Sequence, residues 1–156
     1  MIQRIQTLYI FLALVLMLWF ISSPIFEIID INQQTYLFYN YGFYKIDSSL
    51  SKVKLISSIP LMIVLLIITI NMVITIFSFK KRISQMRLCI FNMLLIIGCI
   101  FLILYYYKQA TNKIQIESLH YKFSAIFPLI VFILIYIAFR AIRRDEILVQ
   151  SIGRFR

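Results

Sequence analysis

Charged residues are spaced along this chain so that four long stretches carry none. The charge-free stretches are residues 5–26, 55–79, 88–107 and 123–139, with lengths of 22, 25, 20 and 17 residues. A helix that crosses the hydrocarbon core of a bilayer needs about 20 residues, within a range of about 17 to 25. Each stretch therefore has the length of a transmembrane helix.

Lipid limits the backbone structures that these stretches can adopt. Without water, every backbone N–H and C=O group must find a partner inside the protein, which only helices and closed barrels achieve. Barrel strands are about half as long and alternate polar with apolar residues, whereas "LMIVLLIITI" in the second stretch does not alternate. The pattern predicts an all-α integral membrane protein, a single domain built as an antiparallel bundle of four transmembrane helices.

The first stretch also has an alternative interpretation as a cleaved signal peptide. Arg4 would precede its apolar segment, and the cleavage site would fall at Ser22 and Ser23. Pro24 follows these small residues and hinders cleavage, so the sequence favours an uncleaved first helix.

The connection after the first stretch, residues 27–54, is longer than two helices need. "FEIIDI" and "TYLFYNYGFYKI" are rich in β-branched and aromatic residues and flank the polar "NQQ", which predicts a small β-hairpin. Its aromatic rings fit either a recognition surface or a belt in the headgroup layer, and the preference of amphipathic rings for that layer favours the belt. The second connection on this side, residues 108–122, is predicted to be irregular or partly helical.

Composition agrees with a membrane protein and adds an orientation. The chain is 62% hydrophobic and 14% charged, against about half and a quarter in soluble domains. The N-terminus, residues 80–87 and the tail share one side of a four-span protein, with ten basic and two acidic residues that include all eight arginines. The other side holds six lysines and four acids. Because Lys/Arg-rich flanks stay in the cytoplasm, both termini are predicted to be cytoplasmic.

The basic tail, residues 140–156, is predicted to be an amphipathic cytoplasmic segment. Leu148, Ile152 and Phe155 recur at i, i+4 and i+7, which is one helical stripe. This stripe suits either the inner leaflet or a groove on a cytoplasmic partner, and each arginine near an anionic leaflet contributes about 1 kcal/mol. The candidate lipid or partner contacts are Arg140, Arg143, Arg144, Asp145, Glu146, Leu148, Ile152, Arg154, Phe155 and Arg156.

Polar residues inside membrane spans are candidates for function. Asn71, Thr75 and Asn92 lie in the second and third stretches, and no titratable acid, base or histidine lies at mid-membrane. That absence argues against a proton relay or an ion-coupled pump. Hydrogen bonding between neighbouring helices is the favoured role for these residues, and a polar path through an oligomer is the alternative.

No motif for catalysis, a cofactor or a metal is found. Glu117 and His120 have the three-residue spacing of metal ligands in carboxylate bundles, but they are only two and lie in a connection. Cys89 and Cys99 lie about 15 Å apart along one helix, too far for a disulfide. The net charge of +10 flanks the spans, so lipid headgroups explain it before nucleic acid does.

Both ends of the chain resemble a known family. The opening "MIQRIQTLYIFLALVLM" and the closing "RAIRRDEILVQSIGRFR" are similar to the ends of domain-of-unknown-function family 4293. The resemblance implies a small four-span bacterial membrane protein with inward-facing termini, and it implies no activity. In that family the tail often has aspartate where this chain has Gly153.

Taken together, these patterns lead to a functional expectation of a non-enzymatic protein of the bacterial inner membrane. It would scaffold or regulate another membrane complex through its tail or first outer connection. The alternative is a small transporter or channel subunit that forms its pore as a homo-oligomer. An enzyme that acts on lipid ranks third, because no catalytic pair is present.

Overall fold

The computed structural model describes residues 3–31, 34–46, 52–112 and 116–153. Four helices and five strands follow one another, with two short 3-10 helices at Ser78–Lys80 and Phe123–Ile126. The helices are α1 Gln3–Ser22, α2 Ile59–Phe77, α3 Arg82–Thr111 and α4 Phe127–Gly153. The strands are β1 Phe26–Asp30, β2 Thr35–Tyr39, β3 Gly42–Ile46, β4 Lys52–Ser57 and β5 Ile116–Tyr121.

The helices form a four-helix bundle in which α1 and α3 each pack against both α2 and α4. Gln6 near the start of α1 donates a hydrogen bond to the Asp145 carboxylate near the end of α4. Arg82 at the start of α3 donates to the Asp145 carbonyl oxygen at 3.3 Å. These ends therefore meet at one end of an up-and-down bundle, which we call the basic end, and the sheet covers the opposite end.

A series of buried residues spaced alternately by four and three positions runs along every helix. They are Gln6, Ile10, Ala13, Met17 and Phe20 on α1; Leu61, Leu65, Ile68, Met72 and Thr75 on α2; Gln85, Cys89, Asn92, Ile96 and Cys99 on α3; and Val131, Ile135, Ala138 and Ile142 on α4. This spacing is typical of a left-handed helix bundle, and we call the line of buried residues on each helix its seam. Its small residues let neighbouring helices approach closely without a water-driven hydrophobic effect.

The outer faces of the helices are as apolar as the seam. Large hydrophobic side chains such as Phe11, Leu66, Leu94 and Ile133 are all exposed, an arrangement that in water would be an aggregation hazard and in lipid is a solvated surface. In the described ranges, three helical segments are long and apolar enough to cross a membrane: Ile59–Phe77, Arg82–Thr111 and Phe123–Val149. The chain is therefore a membrane protein.

One antiparallel sheet lies at the other end of the bundle, with strand order β4-β3-β2-β1-β5. The pairing of Ile29 with Thr35 places β1 and β2 in the predicted hairpin. A second hairpin follows, because Tyr39 pairs with Gly42 across a two-residue turn. Phe26, Phe38 and Phe43 point inward and are buried, so this face of the sheet closes the bundle.

The prediction of an all-α protein is wrong because the hairpin extends into this five-stranded sheet. Ile116–Tyr121 in the second connection is strand β5 rather than an irregular or helical segment, and it pairs with β1. Residues 55–57, which the charge pattern assigns to a span, belong to β4. These three uncharged residues closely precede the uncharged helix α2, so charge spacing alone does not separate the end of the strand from the helix.

The prediction of four transmembrane helices is also wrong, because the apolar part of α1, Gln6–Ser22, is shorter than the three spanning segments. The first charge-free stretch runs to residue 26, but the helix ends at Ser22. Pro24 explains the early end, since proline disfavours helical conformation at the residue before it. The last residues of the stretch then enter β1.

Candidate functional site

Three places in the structure hold the residues that could carry function: the outer face of the sheet, the polar contacts between α2 and α3, and the basic end. Tyr39, Tyr41 and Tyr44 form a cluster on the outer face of the sheet, with ring centroids 5.2 Å apart for Tyr39–Tyr41 and 5.4 Å for Tyr41–Tyr44. We call these three residues the tyrosine cluster.

The aromatic residues of the first connection are thus divided between two faces. Tyr36, Phe38 and Phe43 are buried, and Phe38 lies 6.1 Å from Tyr106 on α3 between ring centroids. Burial, and then the Asp30 carboxylate, raise the pKa of the Tyr36 phenol above its usual value of 10.0. Three of the six aromatic residues in the first connection therefore belong to the core. The other three form the tyrosine cluster, which lies on the face available to lipid headgroups or a partner.

The turn between β2 and β3 fastens the sheet to the helices. The Asn40 side-chain amide donates to the Phe20 carbonyl at 2.6 Å and to the Ile21 carbonyl at 3.4 Å. Both carbonyls lie in the last turn of α1, where intrahelical partners are missing, and the Phe20 carbonyl also accepts from the Ser23 N–H at 3.2 Å. The Ser58 hydroxyl, just before α2, donates to the Asn40 carbonyl at 3.0 Å. One turn thus contacts the end of one helix and the beginning of the next.

Strand β5 places His120 opposite Glu27 in the register with β1. Glu27 is 2.5 Å from the Lys122 ammonium in an ion pair, and the Glu117 side chain lies outside the part that the structure describes. Among the described residues, no group of three or more metal-ligating side chains occurs.

The predicted intramembrane polar residues come together between α2 and α3. Thr75 donates to the Asn71 carbonyl at 2.6 Å and accepts from the Asn92 amide at 3.5 Å. The Asn71 amide reaches the Leu88 carbonyl at 3.5 Å. Asn71, Thr75 and Asn92 are all buried, so they face the neighbouring helix and not the exterior of the bundle.

Gln85 belongs to the same contact and is missing from the sequence-based candidates. It is buried and donates to the Thr75 carbonyl at 3.2 Å. Charge spacing places it outside the third stretch, beside Arg82 and Arg87. Gln85 lies seven residues, about two helical turns, before Asn92, and this spacing could have predicted that the two side chains share one face of α3. We call Asn71, Thr75, Gln85 and Asn92 the polar seam.

At the basic end, α1 and α4 border an open groove of about 830 Å³. Its lining is Tyr9 from α1 and, from α4, Tyr136, Ile137, Arg140, Ala141, Arg144, Asp145, Ile147 and Leu148. We call it the α1–α4 groove. A second groove of about 440 Å³ lies between the start of α3 and Glu146 and Val149.

The tail continues α4 without a break as far as Gly153. Arg140, Arg143, Arg144 and Leu148 are exposed, whereas Asp145 and Glu146 are half-buried. The side chain of Ile152 and the residues Arg154, Phe155 and Arg156 lie outside the described residues. The predicted stripe is therefore represented only by Leu148, beside which Ile147 and Val149 are also exposed.

Comparison with known proteins identifies the family. The chain belongs to the family described as "Domain of unknown function (DUF4293)", whose model matches residues 2–155, and this confirms the resemblance seen at the two ends. No curated protein matches the chain.

Proposed function

We propose that this family member is a non-enzymatic scaffold or regulatory subunit of another membrane complex, and that the tyrosine cluster is its contact surface. The main observation in support is that Tyr39, Tyr41 and Tyr44 cluster on the face of the sheet that points away from the helices. Tyrosine is enriched at the centres of protein interfaces, because its rigid ring buries much area at little conformational cost.

The rest of the bundle supports scaffolding over transport. The buried polar residues of the described helices, such as Gln6, Asn71 and Asn92, are all uncharged, whereas coupled transport uses titratable groups at depth. The polar seam bonds α2 to α3 within one chain. A channel built by oligomerisation would instead need polar side chains on the outside of the bundle.

The location is part of the proposal. Arg82, Arg87, Arg140, Arg143 and Arg144 belong to the basic end, and Lys/Arg-rich flanks are retained in the cytoplasm. We therefore place the basic end, where α1 begins and α4 ends, on the cytoplasmic side of the bacterial inner membrane, so that both termini are cytoplasmic although α1 is shorter than the three spanning segments. The sheet then faces the periplasm, where it meets the outer parts of a partner complex.

The test is co-purification in mild detergent followed by quantitative mass spectrometry. Tyr41→Ala/Tyr44→Ala removes two rings of the cluster, and Tyr105→Ala/Phe123→Ala is the control, because both of its residues are exposed aromatics away from the cluster. A stoichiometric partner that is lost only with the first variant supports the proposal.

Two results would contradict the proposed surface. One is a partner retained by Tyr41→Ala/Tyr44→Ala but lost on deletion of residues 147–156, which would assign the contact to the tail. The other is a homo-oligomer that conducts ions in liposomes, which would support a pore.

A further inference from the structure

The α1–α4 groove has a graded polarity along α4. Tyr136, Arg140 and Arg144 are spaced by four residues and share one helix face, each about 6 Å further towards the basic end. Tyr136 and Ile137 line the part nearest the middle of the bundle, Arg140 and Arg144 line the next part, and Ile147 and Leu148 line the outer rim. From Tyr136 to Arg144 the groove therefore changes from apolar to cationic over about two helical turns.

This gradient matches the polarity of a lipid molecule standing in one leaflet. We propose that the α1–α4 groove binds an anionic glycerophospholipid, with its phosphate between Arg140 and Arg144 and an acyl chain along Tyr136 and Ile137. Basic pockets between membrane helices on the cytoplasmic side are suited to anionic headgroups, and arginine presents a planar pair of donors that matches a phosphate.

The small side chain of Ala141 lies on α4 between the two arginines and lines the groove. A larger residue here would fill space without changing charge. The groove volume of about 830 Å³ falls within the range of about 300–1,000 Å³ seen for ligand sites. The site is therefore defined by shape as well as by charge.

Asp145 is the one acid among the described residues that line the groove. The Asp145 carboxylate accepts a hydrogen bond from Gln6, which is 4% exposed, and so it is held on the side of α1. Ile147 and Leu148 form the outer rim.

A lipid fits this groove better than a soluble anion does. The surrounding surface is the apolar exterior, with Leu8, Phe11, Leu12, Leu129 and Ile133 all exposed, so acyl chains already surround the groove when the protein is in a membrane. A soluble anion would use the arginines but leave the apolar half of the groove unfilled.

The experiment titrates the full-length protein in mild detergent with phosphatidylglycerol or phosphatidylcholine and counts bound lipids by native mass spectrometry. Arg140→Gln/Arg144→Gln removes the two charges of the groove. Arg87→Gln/Arg143→Gln removes two charges from exposed arginines that do not line it. Ala141→Leu fills the groove at constant charge.

One phosphatidylglycerol is expected to bind wild type and the control in preference to phosphatidylcholine. Affinity should fall about fivefold for each groove arginine removed, and roughly 25-fold for the pair, because each contact near the surface is worth about 1 kcal/mol. Ala141→Leu should also lose the lipid. Retention of secondary structure by circular dichroism shows that the variants are folded.

Three outcomes would overturn the assignment. Equal losses in the two double variants would show diffuse attraction to the whole basic end and no site. Equal affinity for phosphatidylcholine would remove the role of the arginines. The third outcome is saturable binding of soluble glycerol phosphate whose affinity falls in Arg140→Gln/Arg144→Gln but is unchanged in Ala141→Leu. That result would assign the site to a free phosphate and not to a lipid.

Discussion

Replacement of Asn40 tests how the sheet is fastened to the membrane helices. Asn40 is 1% exposed, and its amide donates to the Phe20 and Ile21 carbonyls at 2.6 and 3.4 Å. Asn40→Ala removes both donors and leaves the end of α1 without its side-chain partner. The sheet should then be held less firmly to the bundle.

The size of the destabilisation depends on the hydrogen bonds that the buried carbonyl groups keep after the substitution. The Phe20 carbonyl keeps the Ser23 N–H as a donor after the substitution, so the loss is that of one hydrogen bond, about 0.5–1.5 kcal/mol, and the 3.4 Å contact to Ile21 adds little. The Asn40 Oδ1 atom is itself buried without a hydrogen-bond partner in the described part of the chain, so its removal returns some of this cost. We expect Asn40→Ala to lower the free energy of unfolding by about 1 kcal/mol, or the melting temperature by about 2–4 °C.

Asn40→Asp keeps the shape but changes the donor into an acceptor. An ionised carboxylate there would face the two carbonyl oxygens, whereas the protonated form carries an O–H that can donate. Burial should raise the pKa of this carboxyl in the folded protein above its unfolded value of about 3.9. The stabilising contribution is therefore complete below about pH 3.9 and is lost as pH rises through the folded-state pKa.

Thermal unfolding in detergent micelles measures both effects. The fluorescence of Trp19, whose ring lies 5.4 Å from Phe127 between centroids, reports on the sheet end of the bundle. Asn112→Ala is the matched control, because Asn112 is exposed and its replacement should change stability by less than about 0.5 kcal/mol. A melting temperature for Asn40→Ala equal to that of the control, or an Asn40→Asp variant that is insensitive to pH, would refute the reasoning.

Three further predictions follow. Phe38→Ala should cost about 3–5 kcal/mol of unfolding free energy, because Phe38 is buried and stacks on Phe26 at 4.6 Å; equal melting temperatures for Phe38→Ala and Tyr41→Ala would contradict this. Thr75→Val should destabilise by about 1–2 kcal/mol in the same assay, since it leaves the Asn92 amide without its acceptor; an unchanged melting temperature would remove the role of the polar seam. Cys99, which is buried, should resist maleimide in native micelles and react after denaturation; rapid native labelling would contradict its place in the core.

The three spanning helices could be predicted from the spacing of charge, because the cost of a charged group in lipid leaves a long gap in the sequence. Their exact limits could not. The third charge-free stretch begins at residue 88, but α3 begins at Arg82 and runs for 30 residues, about 45 Å at 1.5 Å per residue. Helical hydrogen bonding continues beyond the hydrocarbon core, so charge marks the lipid boundary and not the end of the helix.

The buried faces of the helices could not be predicted from hydrophobicity, for a related reason. A transmembrane helix is apolar all round, so its buried side does not stand out by hydrophobicity. Small and polar residues mark it instead, as Ala13, Cys89, Cys99 and Ala138 do in the seam. Gln85 was missed because it lies among charged neighbours, and the four-and-three spacing that connects it to Cys89 and Asn92 would have recovered it.

The sheet required tertiary information. The first hairpin could be predicted from its composition, but β5 is separated from β1 by the whole of α2 and α3, and "IESLHY" has no strong local signal. The α1–α4 groove was also beyond the sequence, since its lining joins Tyr9 to residues more than 120 positions later. The arginines were candidates before the fold was known, but their division between groove and open surface was not.

The most direct test of the central claim is the accessibility of single cysteines on the two ends of the bundle. Tyr41→Cys at the sheet end and Arg143→Cys at the basic end are placed in a chain with Cys89 and Cys99 replaced by alanine, and intact cells are treated with a membrane-impermeant thiol reagent. The account predicts labelling of Tyr41→Cys in intact cells and of Arg143→Cys only after permeabilisation. Labelling of both in intact cells would show that the two ends do not lie on opposite sides of a membrane, and labelling of Arg143→Cys alone would reverse the proposed orientation.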